Sequence, residues 1–232
     1  MPTKAGPMEG SETPESAVPS PDAVSDYPVT FSVDYPDREL NRASTAFRIF
    51  AAIPILILAA TISGGYARFG SPGNAWSTIG SFAGGLLFLP PLLMILFRQK
   101  YPRWWFDWNL HLLRFTNRIN VYLSLMDDRY PSTDEQQSVH LDFPYPDAKV
   151  DLDRALPLVK WLLAIPHYIV LIFLHIGAFF ALIYAWFAIL FTGRYPRGVF
   201  DFVEGILRWD NRVLGYAVIL VTDKYPPFRL AP

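Results

Sequence analysis

Apolar residues are gathered into three long runs, at about 46–63, 76–97 and 156–192, and polar or charged clusters separate them. A helix that crosses a hydrocarbon core about 30 Å thick needs roughly 20 residues. The first run is short by that measure, but Arg48 can snorkel at its end and bring Thr45 and Phe47 into the helix. The second run is long enough. The third is too long for one span and barely long enough for two, so it reads either as two short spans turning near His175-Ile176-Gly177 or as one long helix. Small residues suit close helix packing: Gly80, Ser81, Gly84 and Gly85 in the second run, and Gly177, Ala181, Ala185 and Ala188 in the third.

Between the runs the period changes. Trp105, Trp108, Leu112, Phe115 and Ile119 fall on one helical stripe, and Asp107, His111, Arg114 and Arg118 on another. The same two stripes return as Val199, Phe202, Ile206, Trp209, Val213 and as Asp201, Gly205, Arg208, Arg212. Helices with one aromatic-apolar face and one basic face suit the membrane interface. Short alternating stretches at 29–34, 121–125 and 139–143, with a β-rich run at 216–222, predict strands. Together they predict a four-stranded cytoplasmic sheet.

These returns belong to one duplication. Tyr35-Pro36-Asp37 comes back as Tyr145-Pro146-Asp147, and the Ala-Ile-Pro ending of 48–54 comes back at 160–166. Lys100-Tyr101-Pro102-Arg103 comes back as Arg194-Tyr195-Pro196-Arg197, and Arg114, Asn117, Arg118 and Tyr122 as Arg208, Asn211, Arg212 and Tyr216, 94 residues on. Residues 28–131 and 139–230 therefore form two tandem repeats, each a strand, two spans, an interfacial helix and a strand. The predicted fold is an integral membrane α-helical protein with four transmembrane helices, cytoplasmic amphipathic helices and a small β-sheet. The copies share one orientation, so an axis along the membrane normal relates them.

Charge refines the picture. Arg68 is the only Lys or Arg in the loops joining paired spans, which puts both termini in the cytoplasm. The net charge is −1, but residues 1–27 hold Lys4 against five acids, so the remainder is basic. That Pro-, Ser- and Glu-rich stretch has no apolar core; it reads as a disordered acidic tail and not as a secretory signal. Only 18% of residues are charged, low for a soluble chain. With no cysteine, disulfides, thiol catalysis and Cys-ligated metals are excluded.

The Tyr-Pro turns, Lys-Tyr-Pro-Arg-Trp-Trp-Phe-Asp at 100–107, Leu-Leu-Arg-Phe-Thr-Asn-Arg at 112–118 and the stretch 157–168 together resemble a bacterial membrane family, the domain of unknown function numbered 4389. The likeness runs over about 27–230. It implies a multi-pass protein of the bacterial inner membrane and brings no activity, cofactor or site residue with it.

No phosphate loop, nucleophile elbow, zinc helix or dinucleotide fingerprint is present. His167 and His175 lack opposing histidines for haem, and no metal set or cofactor is indicated. Asp107, His111 and Asp201 are weak acid–base candidates, since an Asp near a helix start also serves capping and the helix dipole. The strongest functional signal is the recurrent basic set Arg103, Arg114, Arg118, Arg197, Arg208 and Arg212, with Trp104, Trp105 and Trp108. It points to a non-enzymatic protein binding anionic lipid or a membrane-protein partner, and not nucleic acid. Two alternatives stay open: a small-solute transporter or channel along the twofold axis, and an enzyme acting on lipid at the interface.

Overall fold

The computed structural model describes residues 27–62, 84–133 and 135–232, with side chains for all of these except 60–62 and 84–88. The expected tail up to residue 26, the loop carrying Arg68 and the start of the second apolar run lie outside the described residues. Tyr27, placed by sequence in the tail, is 2% exposed and donates its hydroxyl to Lys224 O at 3.1 Å.

The chain is mostly helical with one small sheet. In order it forms β1 (Thr30–Val33), α1 (Arg42–Ile62), α2 (Gly84–Arg98), α3 (Arg103–Leu123), β2 (Val139–Asp142), α4 (Pro157–Leu163), α5 (Ile165–Thr192) and α6 (Arg197–Ala217). β1 and β2 pair antiparallel with Phe31 opposite Leu141 and Val33 opposite Val139. Those four side chains are buried, while Thr30, Ser32, His140 and Asp142 face outward, as a ribbon with one covered face requires. The Asn41 side chain caps α1 by accepting from Ser44 N at 3.0 Å. Pro166 cannot donate to the preceding turn, and the helix breaks at Ala164 into α4 and α5. Gly193, at φ 76°, ends α5 in the left-handed conformation that only glycine adopts without strain.

Helices α3 and α6 are the centre of the fold. Their basic faces carry the ribbon, β2 on α3 and β1 on α6, and their other faces carry α1 and α5. Phe115, Ile119 and Tyr122 of α3 pack on Ala52 and Ile55 of α1. Trp209, Val213, Tyr216 and Ala217 of α6 pack on Ala164 and Leu171.

Four expectations are corrected. Two helical stretches, Arg42–Ala59 and Ile165–Thr192, are long and apolar enough to cross a membrane by length and composition; among the described residues there are not four. No turn forms at His175-Ile176-Gly177. The helix runs straight through, and Gly177 lies in the middle of α5 against the Phe202 ring, where an added Cβ would sit 3.6 Å away. Among the described residues the sheet has two strands, not four. Residues 121–123 continue α3, and 216–217 continue α6. Finally, the basic faces of α3 and α6 are not bare: ribbon carbonyls Leu141 O and Phe31 O accept from Arg114 and Arg208, while Trp104, Asp107, Trp108 and His111 of α3 stay exposed.

Arg48 also differs from expectation. It does not reach outward: it is 2% exposed, donates to Tyr122 O at 2.9 Å and Asp127 O at 2.7 Å, and lies 4.7 Å from the Tyr122 ring centre. Its counterpart Lys160 is fully buried, donates to Thr222 O at 2.6 Å, pairs with Asp223 at 2.7 Å and lies 5.0 Å from the Tyr216 ring. Each cation thus holds the chain at the C-terminal end of a central helix, where carbonyls and the helix dipole favour positive charge.

Candidate anion-binding cavity

The site grows out of two helices that start alike. Pro102 and Pro196 occupy the N-cap positions with φ −64° in both, and neither helix has a side-chain cap. Asp107 and Asp201 therefore do not cap. Asp107 is exposed, and Asp201 pairs at the surface with Arg197 at 3.0 Å. Twenty-one residues of helix follow in each case. The helical period then carries Arg114 and Arg118 of α3, and Arg208 and Arg212 of α6, to the side where the ribbon lies.

These four arginines line one cavity of about 600 Å³, closed by the ribbon residues Thr30 to Ser32 and Val139 to Asp142, with Gln136, Gln137 and Pro232 at its edge. Each guanidinium is held by backbone. Arg114 Nε donates to Leu141 O at 2.8 Å and Arg208 Nε to Phe31 O at 2.9 Å. Leu141 and Phe31 are partners across the ribbon, so the two bonds are counterparts. Arg118 donates to Ser132 O at 2.7 Å, and Arg212 to Ala231 O at 3.0 Å.

The charges are only partly compensated. Arg208 meets Glu204 at 2.6 Å, and Arg114 meets the exposed Asp142 at 3.4 Å. Arg212 is 1% exposed, has no carboxylate partner among the described residues, and its Nε has no hydrogen-bond acceptor. Burial, with Arg208 and Arg229 nearby, pushes its pKa down to about 10. A buried guanidinium without a counter-charge carries a large desolvation cost, and an anion in the cavity would relieve it.

The other expected site residues lie elsewhere. Arg103 stacks over Tyr145 at 5.4 Å and Arg197 over Tyr35 at 4.5 Å, both exposed and outside the cavity. Trp104, Trp105 and Trp108 form a ring cluster at the start of α3, with centroids 5.4 and 5.3 Å apart along it. His111 is exposed and makes no bond to Asp107. His140 pairs with Asp34 at 3.0 Å. Among the described residues no three acids or histidines are gathered to hold a metal.

Sequence reasoning assigned no role to Asn117 and Asn211, although their recurrence at one offset was the available signal. Both are buried, and each donates Nδ2 to the other's Oδ1 at 2.8 Å while also donating to the carbonyl four residues back. Crossed tyrosine contacts repeat the pattern. Tyr101 donates to Ile219 O at 2.7 Å and Tyr195 to Ser124 O at 3.1 Å, and Tyr35 and Tyr145 donate to Tyr195 O and Tyr101 O respectively. The asparagine pair borders a second, largely apolar cavity of about 790 Å³ between α3, α5 and α6, where His175 pairs with Asp210 at 3.1 Å.

Residues 156–229 match the family described as Domain of unknown function (DUF4389). The matched stretch takes in α4, α5, α6 and the chain up to Arg229. No curated protein and no solved structure matches the chain.

Proposed function

We propose that this is a non-enzymatic, membrane-seated protein that binds a multiply charged anion, of the phosphate or polyphosphate type, in the cavity between the ribbon and the two central helices. The observation that carries it is the convergence of Arg114, Arg118, Arg208 and Arg212 on one cavity, with Arg212 buried and lacking a carboxylate. The crossed contacts at equivalent positions support a further reading: two tandem repeats stand about a pseudo-twofold axis through the Asn117–Asn211 bridge, so the cavity offers matched pairs of cations. An anion with two acidic groups suits such a site.

The membrane part of the reading rests on the exposed apolar length of α5, which has no Asp, Glu, Lys or Arg, and on α1. The arginine cavity opens on the opposite side of α3 and α6 from α5, which favours a water-borne anion, or a headgroup presented by a partner, over a lipid lying under the protein. The amide bridge closes the axis between the helices, which supports binding over passage through a pore.

Calorimetric titration of wild type with inorganic diphosphate, and with vesicles bearing phosphatidylglycerol, tests the proposal. Charge-assisted bonds contribute about 1.5–3 kcal/mol each, so Arg212→Gln is expected to weaken diphosphate binding by about tenfold to a hundredfold. Binding to the vesicles alone would move the ligand to a lipid headgroup. No saturable heat with either would overturn the cavity as a binding site.

A further inference from the structure

We infer that α5 lies in the plane of the membrane surface, with one side sunk into lipid, and does not cross the bilayer. The inference rests on the membrane-seated reading above and goes beyond it in fixing the helix's direction. Its first support is the way α5 is divided. His167, Leu171, Ala178, Ala185 and Ile189 are buried and fall on one stripe facing the body. On the opposite side Ile169, Phe173, Ile176, Phe180, Phe187 and Phe191 are exposed by 49–77%, from one end of the helix to the other.

The second support is what runs beside it. α6 packs against the first half of α5: Trp209 Nε1 donates to His167 Nδ1 at 3.0 Å, Asp210 meets His175 at 3.1 Å, and Phe202 covers Gly177. Further along, Trp186 reaches Thr45 O at 3.2 Å, and Gly193 O accepts from Leu40 N at 2.8 Å. A transverse α5 would carry Asp201, Glu204, Arg208, Asp210 and Arg212 into the hydrocarbon with it. It would also carry the ribbon, whose outward carbonyls Phe31 O and Leu141 O and amide Val33 N are held by the charged side chains of Arg208, Arg114 and Glu204.

The third support is charge. Residues 165–192 contain no Asp, Glu, Lys or Arg, yet exposed cations stand at both ends: Arg42 and Arg194 at the C-terminal end, Arg154 ahead of α4 at the other. Crossing helices are biased towards an excess of cations on one side of the membrane. An uncharged stripe with cations at both ends complements acyl chains flanked by anionic headgroups along a single surface.

The chain has no cysteine, so single cysteines can be placed at Ile169, Ile176, Phe180 and Phe187, with Gln136 as a control on the cavity side, and spin-labelled. Circular dichroism in the same vesicles verifies that each variant is folded. In vesicles of phosphatidylethanolamine and phosphatidylglycerol, the four α5 labels are expected at one shallow depth, about 5–10 Å below the headgroups, with Gln136→Cys in water. Depths that change along the helix by about 1.5 Å per residue would overturn the in-plane direction and leave membrane seating intact. Labels that meet no lipid at any position would overturn both.

Discussion

The Asn117–Asn211 bridge is the most exacting place to perturb the pairing of α3 with α6. Asn117→Leu deletes both cross-helix amide bonds and leaves the buried Asn211 Oδ1 without a donor, although Asn211 Nδ2 keeps Leu207 O. Two lost bonds at about 1 kcal/mol each, with a stranded carbonyl at about 1–3, give about 3–5 kcal/mol, which the added apolar burial reduces to roughly 2–4 kcal/mol. Asn211→Leu should cost the same by symmetry, since Leu113 O remains for Asn117. The double variant strands nothing. It loses only the two bonds, about 2 kcal/mol, so its destabilisation should fall short of the summed singles by at least about 2 kcal/mol, the signature of direct coupling. Denaturant unfolding in one detergent, with the four proteins of the cycle run together, measures this. Asn109→Leu paired with Asn211→Leu is the control, because Asn109 bonds only within its own helix and should be additive. Additivity of Asn117→Leu and Asn211→Leu within about 0.5 kcal/mol would refute the bridge as a joint between α3 and α6.

Two further outcomes follow from buried charges. Lys160→Met should destabilise the fold by about 2–4 kcal/mol, because it leaves Asp223 without its cation and Thr222 O without its donor; thermal unfolding measures it, and a change under 0.5 kcal/mol would show that the clamp on α6 is idle. Asp127 is buried, which by itself would raise its pKa, but bonds from Ser138 and Arg129 outweigh burial and hold it below the usual carboxylate value. Its contribution is therefore complete above about pH 4, near the unfolded Asp value, and is lost as pH falls through the depressed folded value. Asp127→Asn should flatten the acid limb of the stability–pH curve, and an unchanged limb would assign it to other carboxylates.

Much of the fold could be read from the sequence because its signals were long. The stripes through Trp105 to Ile119 and Val199 to Val213 became α3 and α6, and the recurrence of Arg114, Arg118, Arg208 and Arg212 marked the residues that line one cavity. Short signals divided: the alternating stretches at 29–34 and 139–143 became β1 and β2, and others failed. Val121, Tyr122 and Leu123 alternate for too few residues to separate a strand from the last turn of a helix, and Tyr122 is in fact the residue whose carbonyl Arg48 holds. At His175-Ile176-Gly177, the duplication argued for a turn, while the glycine serves packing against Phe202, and local sequence alone does not separate those uses. Arg48 looked like a snorkelling cation because composition cannot reveal two carbonyls brought from 74 and 79 positions away. The asparagine bridge went unread for the same reason: the recurrence of Asn117 and Asn211 was visible, but its meaning lies in a contact between α3 and α6.

Whether the arginine cavity holds an anion is tested most directly by native mass spectrometry of protein extracted from its own membrane without delipidation. Wild type should carry a stoichiometric anionic species that is missing from a folded Arg118→Gln/Arg212→Gln variant. Identical adducts on both proteins, or none on either, would contradict the account and leave these arginines as braces for the ribbon and the C-terminal stretch.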